Sequence, residues 1–301
     1  PSGYTSNTSP PVYVRHTNLH HFDVYAPSSA IAGEPFDITV YARDVYGNLC
    51  DNTNEATPDP LEDSPDVTLS EIILGYANTI YPKNYKLSNG SLIAPVQLFK
   101  RGNSEQIMVA DANGVTGISN SIQVEANTFN RLLVLTNGMN ALGGVYTGDT
   151  PTNFTLYTGM PVTRTVNDTG HSPSGYQFRV YSCDLYGNIT ATADVIGKTV
   201  TVTTNDPYAV PVTATSINSS TGEAIVNVIF HTAMAGVTVG AHITDQSITE
   251  FETPGFRTLP GDPYGLQLRV PGLYIAGGSG GPSGPVWDNG IRGTENSQLS
   301  G

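Results

Sequence analysis

Nucleophilic, metal-binding and glycan-bearing residues are all present in this chain, and their spacing decides which chemistry they could support. Ser279 and Ser283 lie in Gly278-Ser-Gly-Gly-Pro-Ser-Gly284, a loop with some likeness to a serine-nucleophile turn. It has no flanking Asp and no His-bearing strand beside it, and a catalytic triad is defined by geometry rather than by one loop. The carboxylates Glu62, Asp63 and Asp66 stand in a polar, Pro-rich stretch, where burial cannot tune an acid against a base. The chain therefore reads as non-enzymatic. His16, His20 and His21 cluster, but adjacent side chains of an extended strand point to opposite faces, which favours surface histidines over a transition-metal set. Calcium is the one cofactor with a case. Asp51, Asp59, Glu62, Asp63 and Asp66 offer oxygen ligands, although without Asp-x-Asp-x-Asp-Gly spacing. Cys50 and Cys183 are the only cysteines, so the choice is one disulfide or two thiols. Asn7, Asn89, Asn153, Asn167, Asn188 and Asn218 head Asn-x-Ser/Thr sequons, which count only in a glycosylating host.

Composition narrows the partners. Charged residues are 13% of the 301, about half the usual globular share of roughly 25%. Net charge is −13 and the 13 Lys and Arg form no run, so neither a nucleic-acid backbone nor an anionic membrane surface is an expected partner. No apolar run approaches the roughly 20 residues of a spanning helix, so membrane insertion is not expected. The start at Pro1 fits a processed protein or a fragment.

The elements that would position these residues are strands. Phe36-Asp-Ile-Thr-Val-Tyr-Ala42 alternates strictly, with Phe36, Ile38, Val40 and Ala42 on one face, the pattern of a half-buried strand. Further strands are expected at 21–25, 67–74, 91–99, 106–110 and 121–125, and again at 131–135, 176–182, 198–204, 223–230 and 236–243. Asp111-Ala-Asn-Gly114 has hairpin chemistry. The strongest signal is an internal repeat. Tyr41-Ala-Arg-Asp-Val-Tyr-Gly-Asn48 returns 140 residues later as Tyr181-Ser-Cys-Asp-Leu-Tyr-Gly-Asn188. Gly47 and Gly187 supply a positive φ, Asp44 and Asp184 cap their own turns, and Asn48 and Asn188 tolerate the left-handed region. The motif is thus read as structural.

The stretch Gly33-Glu-Pro-Phe-Asp-Ile-Thr-Val-Tyr-Ala-Arg-Asp-Val-Tyr-Gly-Asn48 resembles the bacterial surface repeats of the invasin/intimin-like and filamin-like immunoglobulin superfamily. The resemblance implies an extracellular stalk, adhesin or fibre and carries over no catalytic residue. The expected fold is all-β: tandem immunoglobulin-like β-sandwich modules with an extended arm at 1–18, modules at 19–128 and 129–252, an insertion at 137–174 in the second, and a linker and incomplete third module at 253–301. The expected function is a secreted, cell-surface structural subunit that assembles head to tail with copies of itself by strand pairing. Val12, Tyr13 and Val14 in the arm and Leu266, Leu268 and Val270 in the tail would be the strand donors. The alternative is a non-catalytic carbohydrate-binding or adhesive module of a larger secreted protein, with host or surface glycans as ligands.

Overall fold

A computed structural model describes residues 8–10, 12, 14–51, 65–71, 80–81, 83–144, 156–166, 175–211, 215–243, 252–261, 274–275 and 287–288. The chain divides into two compact units, the first through Ala126 and the second from Asn127.

The first unit contains β1 (Leu19–Tyr25), β2 (Ser29–Ile31), β3 (Phe36–Asp44), β4 (Asp66–Glu71), β5 (Ile80–Tyr81), β6 (Asn84–Lys86), β7 (Ser91–Leu98), β8 (Gly102–Glu105), β9 (Ile107–Asp111), β10 (Thr116–Ile118) and β11 (Ile122–Glu125). One sheet has the order β1-β3-β7-β5. The facing layer is built from β10-β9-β4-β6 and β2-β11-β8, in which β8 with β9, and β10 with β11, are successive halves of two long strands. The opening strand crosses between layers: β1 pairs antiparallel with β3, and β2 then pairs parallel with β11. This is the immunoglobulin-like arrangement. The alternation read in the sequence is real. Ile38, Val40, Ala42 and Asp44 are buried, while Asp37, Thr39, Tyr41 and Arg43 face outward and are at least partly exposed.

The second unit contains β12 (Arg131–Leu135), β13 (Met139–Ala141), β14 (Tyr157–Gly159), β15 (Arg164–Thr165), β16 (Tyr176–Cys183), β17 (Val200–Thr204), β18 (Val210–Pro211), β19 (Glu223–Ile229), β20 (Val239–Ile243) and β21 (Thr258–Leu259). Its first sheet, β12-β16-β19-β18, repeats the order of β1-β3-β7-β5 strand for strand. The second layer pairs β17 with β20 and β15 in parallel with β21, as β2 pairs with β11. The core joins Phe178, Val180 and Val226 to Val239, Phe230 and Phe256, whose rings meet edge to face or tilted. Downstream, β22 (Tyr274–Ile275) and β23 (Trp287–Asp288) form a short antiparallel pair.

Three expectations need correction. Residues 252–261 are not a linker: Phe256 is core, Thr253 and Thr258 are buried, and β21 completes the second layer. The unit boundary falls at 126/127 rather than 128/129. The stretch 137–174 is not all insertion. It holds β15, the counterpart of β2, and upstream of it the hairpin β13–β14, which has no counterpart in the first unit.

That hairpin explains a difference between the opening strands. β1 alternates, with Phe22 and Val24 buried and His21 and Asp23 partly exposed. β12 is buried along Leu132, Leu133, Val134 and Leu135. Leu132 and Val134 face the sandwich core, whereas Leu133 and Leu135 pack outward with Met139, Leu156 and Cys183 in a second small core beneath the insertion. A continuous apolar run is what a strand covered on both faces requires. Leu133→Ala should therefore cost about 2–5 kcal/mol, the range of a core truncation, although it lies on the outer face of its sheet. Urea unfolding measures it; a loss within about 0.5 kcal/mol, typical of a surface change, would mean that the insertion does not cover this face.

Candidate functional site

The repeated motif closes the same five-residue loop in both units. In the first, the Asp44 amide donates to Asn48 O at 3.0 Å and the Gly47 amide to Asp44 O at 3.1 Å; in the second, the Asp184 and Gly187 amides do the same at 2.9 and 3.2 Å. Gly47 and Gly187 hold φ near +82° and +81°. Asn48 and Asn188 do not take the left-handed conformation expected of them: among the described non-glycine residues only Asn89 has positive φ. Their contribution is the side-chain amide. Asn48 Nδ2 donates to Asp44 Oδ2 at 3.0 Å, and Asn188 Nδ2 to Asp184 Oδ2 at 2.8 Å.

Each carboxylate gathers donors from two separate chain segments. Asp44 Oδ1 accepts from the Tyr46 and Asn48 amides at 2.9 and 2.8 Å, and Oδ2 also accepts the Thr17 amide at 3.0 Å and the Thr17 hydroxyl at 3.3 Å. Asp184 Oδ1 accepts from the Tyr186 and Asn188 amides, both at 2.9 Å, and Oδ2 also accepts the Asn127 amide at 3.0 Å. Thr17 and Asn127 lie just upstream of β1 and β12. The motif is thus a clamp on the segment by which the chain enters each module. A second glycine pair supports it. Gly90 O accepts the Ala42 amide and Gly222 O the Ser182 amide, both at 2.8 Å, ahead of β7 and β19. The sequence signal for it was the Gly immediately before each of these strands, at Asn89-Gly-Ser91 and Thr221-Gly-Glu223.

The two clamps sit in different surroundings. In the first unit Val45 and Tyr46 are exposed and a Cβ on Gly47 would meet nothing. In the second, the insertion lies on the loop: the Gly144 amide donates to Tyr186 O at 3.1 Å, and a Cβ on Gly187 would come within 2.8 Å of Leu142 O and Leu156. The carboxyl groups respond in opposite directions. Burial pushes Asp44 upward, but Asn48 and the amides of Thr17, Asn48 and Tyr46 outweigh it and hold the group well below the usual carboxylate range. Asp184 has equivalent donors, yet burial dominates and raises it.

The remaining candidates are placed as follows. Cys50 and Cys183 do not bridge: each is a buried thiol, one in each unit. They occupy non-equivalent positions, Cys50 two residues after its motif's Asn and Cys183 directly before its motif's Asp, and burial pushes the Cys183 thiol up. Asn188 is buried and its Nδ2 is engaged by Asp184, so it is closed to glycosylation in the folded chain. Asn89 and Asn218 are exposed, whereas Asn7, Asn153 and Asn167 lie outside the described residues. For calcium, Asp51 is half-buried and Asp66 exposed, Asp59, Glu62 and Asp63 lie outside the described residues, and no group of three or more metal-ligating side chains occurs among the described ones. His20 and His21 do not diverge as expected of a regular strand. A bulge between Leu19 and His21 brings their Nδ1 atoms to 3.2 Å. Val12 and Val14 are 80% and 78% exposed, while Tyr13, Leu266, Leu268 and Val270 lie outside the described residues.

A feature that the sequence did not announce lies in the second unit. Between the β13 end of the insertion and the outer face of β16 there is a cleft of about 440 Å³. Its polar lining comes from Thr136, Asn137, Asn140, Gln177, Arg179 and Tyr181, above a floor that includes Leu135 and Met139.

No known protein-family profile and no curated protein sequence matches the chain. Among solved structures it is similar to the D0–D1 domain of intimin, at 13% identity over 79% of this chain and 97% of that one, with a TM-score of 0.28. It is also similar to domains 4–9 of the surface layer protein SbsC, at 14% identity over 85% and 32% with a TM-score of 0.25. A β-glycosidase from Bacteroides vulgatus is matched at 10% identity over 80% and 25%, with a TM-score of 0.29. Likenesses of this strength carry no argument about activity or partner; the immunoglobulin-like fold rests on the strand order itself.

Two outcomes follow from the clamps. Gly187→Ala should destabilise more than Gly47→Ala, because both lose the positive φ, worth about 1–2 kcal/mol, but only Gly187→Ala also drives a methyl against Leu142 and Leu156. Denaturant midpoints of the two variants check this order. For pH, Asp44 has a folded pKa below its unfolded value of about 3.9, so its stabilisation is present above that pH and is lost as pH falls further. Asp184 has the reverse sign: its folded pKa is raised, so its contribution is present below about pH 3.9 and is lost as pH rises through the folded pKa. Asp44→Asn should flatten the acid-induced loss of stability, and Asp184→Asn should not. Thermal unfolding between neutral and acid pH distinguishes them.

Proposed function

We propose that this chain is a length of extracellular, cell-surface stalk or fibre built from serial immunoglobulin-like modules, with no catalytic activity of its own. The observation that carries the reading is the repeated clamp. Each module uses one buried carboxylate to fasten the segment leading into it, through Thr17 in one case and Asn127 in the other. A module that binds its own leader is suited to being strung in series, because its fold fixes where its opening strand begins. The low content of charged side chains and the net charge of −13 fit a soluble surface array that does not bind nucleic acid.

Assembly belongs to the same proposal. The arm around Val12 and Val14 presents apolar side chains to solvent, and together with the segment around Leu266, Leu268 and Val270 it supplies the strands that would pair with a neighbouring copy, head to tail. Calcium would take its oxygen ligands from the acidic stretch containing Asp51, Asp59, Glu62, Asp63 and Asp66. Electron microscopy of the purified chain should show filaments, and removal of residues 1–15 and 264–301, which spares Thr17, should leave single particles. Single particles from the intact chain, or filaments that survive the truncation, would contradict assembly by strand sharing.

A further inference from the structure

We propose that the cleft beside the second module's insertion is a saccharide-binding site. The inference does not rest on the stalk reading, since a module of a fibre and a free-standing module could carry it equally.

Location is the first argument. The two units share the strand order of their first sheet and the clamp, and among the described residues the second adds the β13–β14 hairpin after its opening strand. In the first unit no hairpin stands between β1 and β2, and the equivalent face carries side chains that pair with one another: Asp23 with Arg43 at 3.0 Å, Arg43 5.2 Å from the Tyr41 ring centre, and Tyr25 edge to face with Tyr41. In the second unit the β13 end of the hairpin forms one side of the cleft on this face. Added segments on a rigid sandwich are where binding function is commonly placed.

Chemistry is the second argument. Asn137, Asn140 and Gln177 bring three carboxamides, each able to donate and accept, and Arg179 and Tyr181 add a guanidinium and a phenol. Arg179 Nη1 donates to the Tyr181 hydroxyl at 3.4 Å and stands 3.4 Å from Glu223 Oε1, contacts that orient its planar group on this face. A ligand with many hydroxyl groups, each both donor and acceptor, matches this set. A phosphate would need more positive charge than the lining offers, and a lipid chain or apolar peptide would need far less polar surface. Leu135 and Met139 lie beneath this lining and are buried, so contact with a sugar falls to the polar side chains above them. At about 440 Å³ the cleft falls within the roughly 300–1,000 Å³ of small-ligand sites, a size suited to the end of an oligosaccharide.

Preorganisation is the third argument. Gly138 and Gly159 both have positive φ, and a Cβ on either would collide with a carbonyl oxygen, that of Met160 and of Gly138 respectively. The hairpin is therefore packed too closely for any other residue. The wall is also braced from behind. Buried Arg164 donates from Nη2 to Thr136 Oγ1 at 2.7 Å and lies 5.0 Å from the centre of the Tyr176 ring, and the Thr136 hydroxyl in turn donates to Gln177 O at 3.3 Å. A wall fixed before binding loses little entropy when a ligand arrives.

The test uses the full chain, a printed panel of neutral and uronic-acid-containing oligosaccharides, and saturation-transfer NMR on the saccharides retained. At least one should bind. Gln177→Ala combined with Arg179→Ala should weaken it about tenfold or more, as expected for the loss of two ligand hydrogen bonds, and Asn140→Ala should weaken it separately. These side chains are exposed, so the variants should keep the wild-type unfolding midpoint, and Tyr41→Ala in the first unit should leave binding unchanged. If no saccharide in the panel binds, or if the double variant and Asn140→Ala both bind as tightly as the unaltered chain, the cleft is not a saccharide site. Neither result bears on whether the chain forms filaments.

Discussion

One acidic side chain per module organises the rest: Asp44 in the first unit and Asp184 in the second. A buried carboxylate is costly unless its lone pairs are filled, and here backbone amides, an Asn side chain and the incoming segment fill them. The same atoms that close a five-residue turn therefore also fix where the opening strand begins. From that point the order of the sheet follows. β1 and β12 lie against the long strands β3 and β16, which end at the motif, and the long strands pair with β7 and β19.

The second module shows how a fold accommodates an addition without altering this frame. Its hairpin enters between β12 and β15, where the first module has only the few residues between β1 and β2. It packs on Leu133 and Leu135, covers the motif loop and leaves a polar cleft beside Arg179 and Tyr181. Deeper cover is the physical reason that Asp184, despite equivalent donors, is shifted upward while Asp44 is held below the usual carboxylate range. One motif thus serves two electrostatic regimes.

Much of the frame was legible in the sequence, because strands that bury one face declare it by period two. Phe36 to Ala42 is the clearest case, and the Asp, Gly and Asn of the motif marked the loop that the hydrogen bonds display. The failures have physical causes. Thr253 to Leu259 reads as a linker because its strand is two residues long and flanked by Pro and Gly; only Phe256 hinted at a core role. The insertion's strands are three residues each and carry no periodicity, yet the unbroken run Leu132-Leu-Val-Leu135 was a usable sign that both faces were covered. Asn48 and Asn188 were assigned a backbone role when their side chains act instead. The cleft could not be read at all, since it is formed by residues some 40 positions apart whose proximity only the sheet register sets.

The central claim, that one carboxylate in each module fastens the segment ahead of it, is tested most directly by amide hydrogen exchange at Thr17 and Asn127. Neither amide belongs to a strand, so its protection reports the clamp. Slow exchange is expected at both positions in the unaltered chain. Asp44→Ala should release Thr17 alone and Asp184→Ala should release Asn127 alone, with the amides of β3 and β16 still protected. Rapid exchange at Thr17 and Asn127 in the unaltered chain, or protection that persists in both variants, would contradict it.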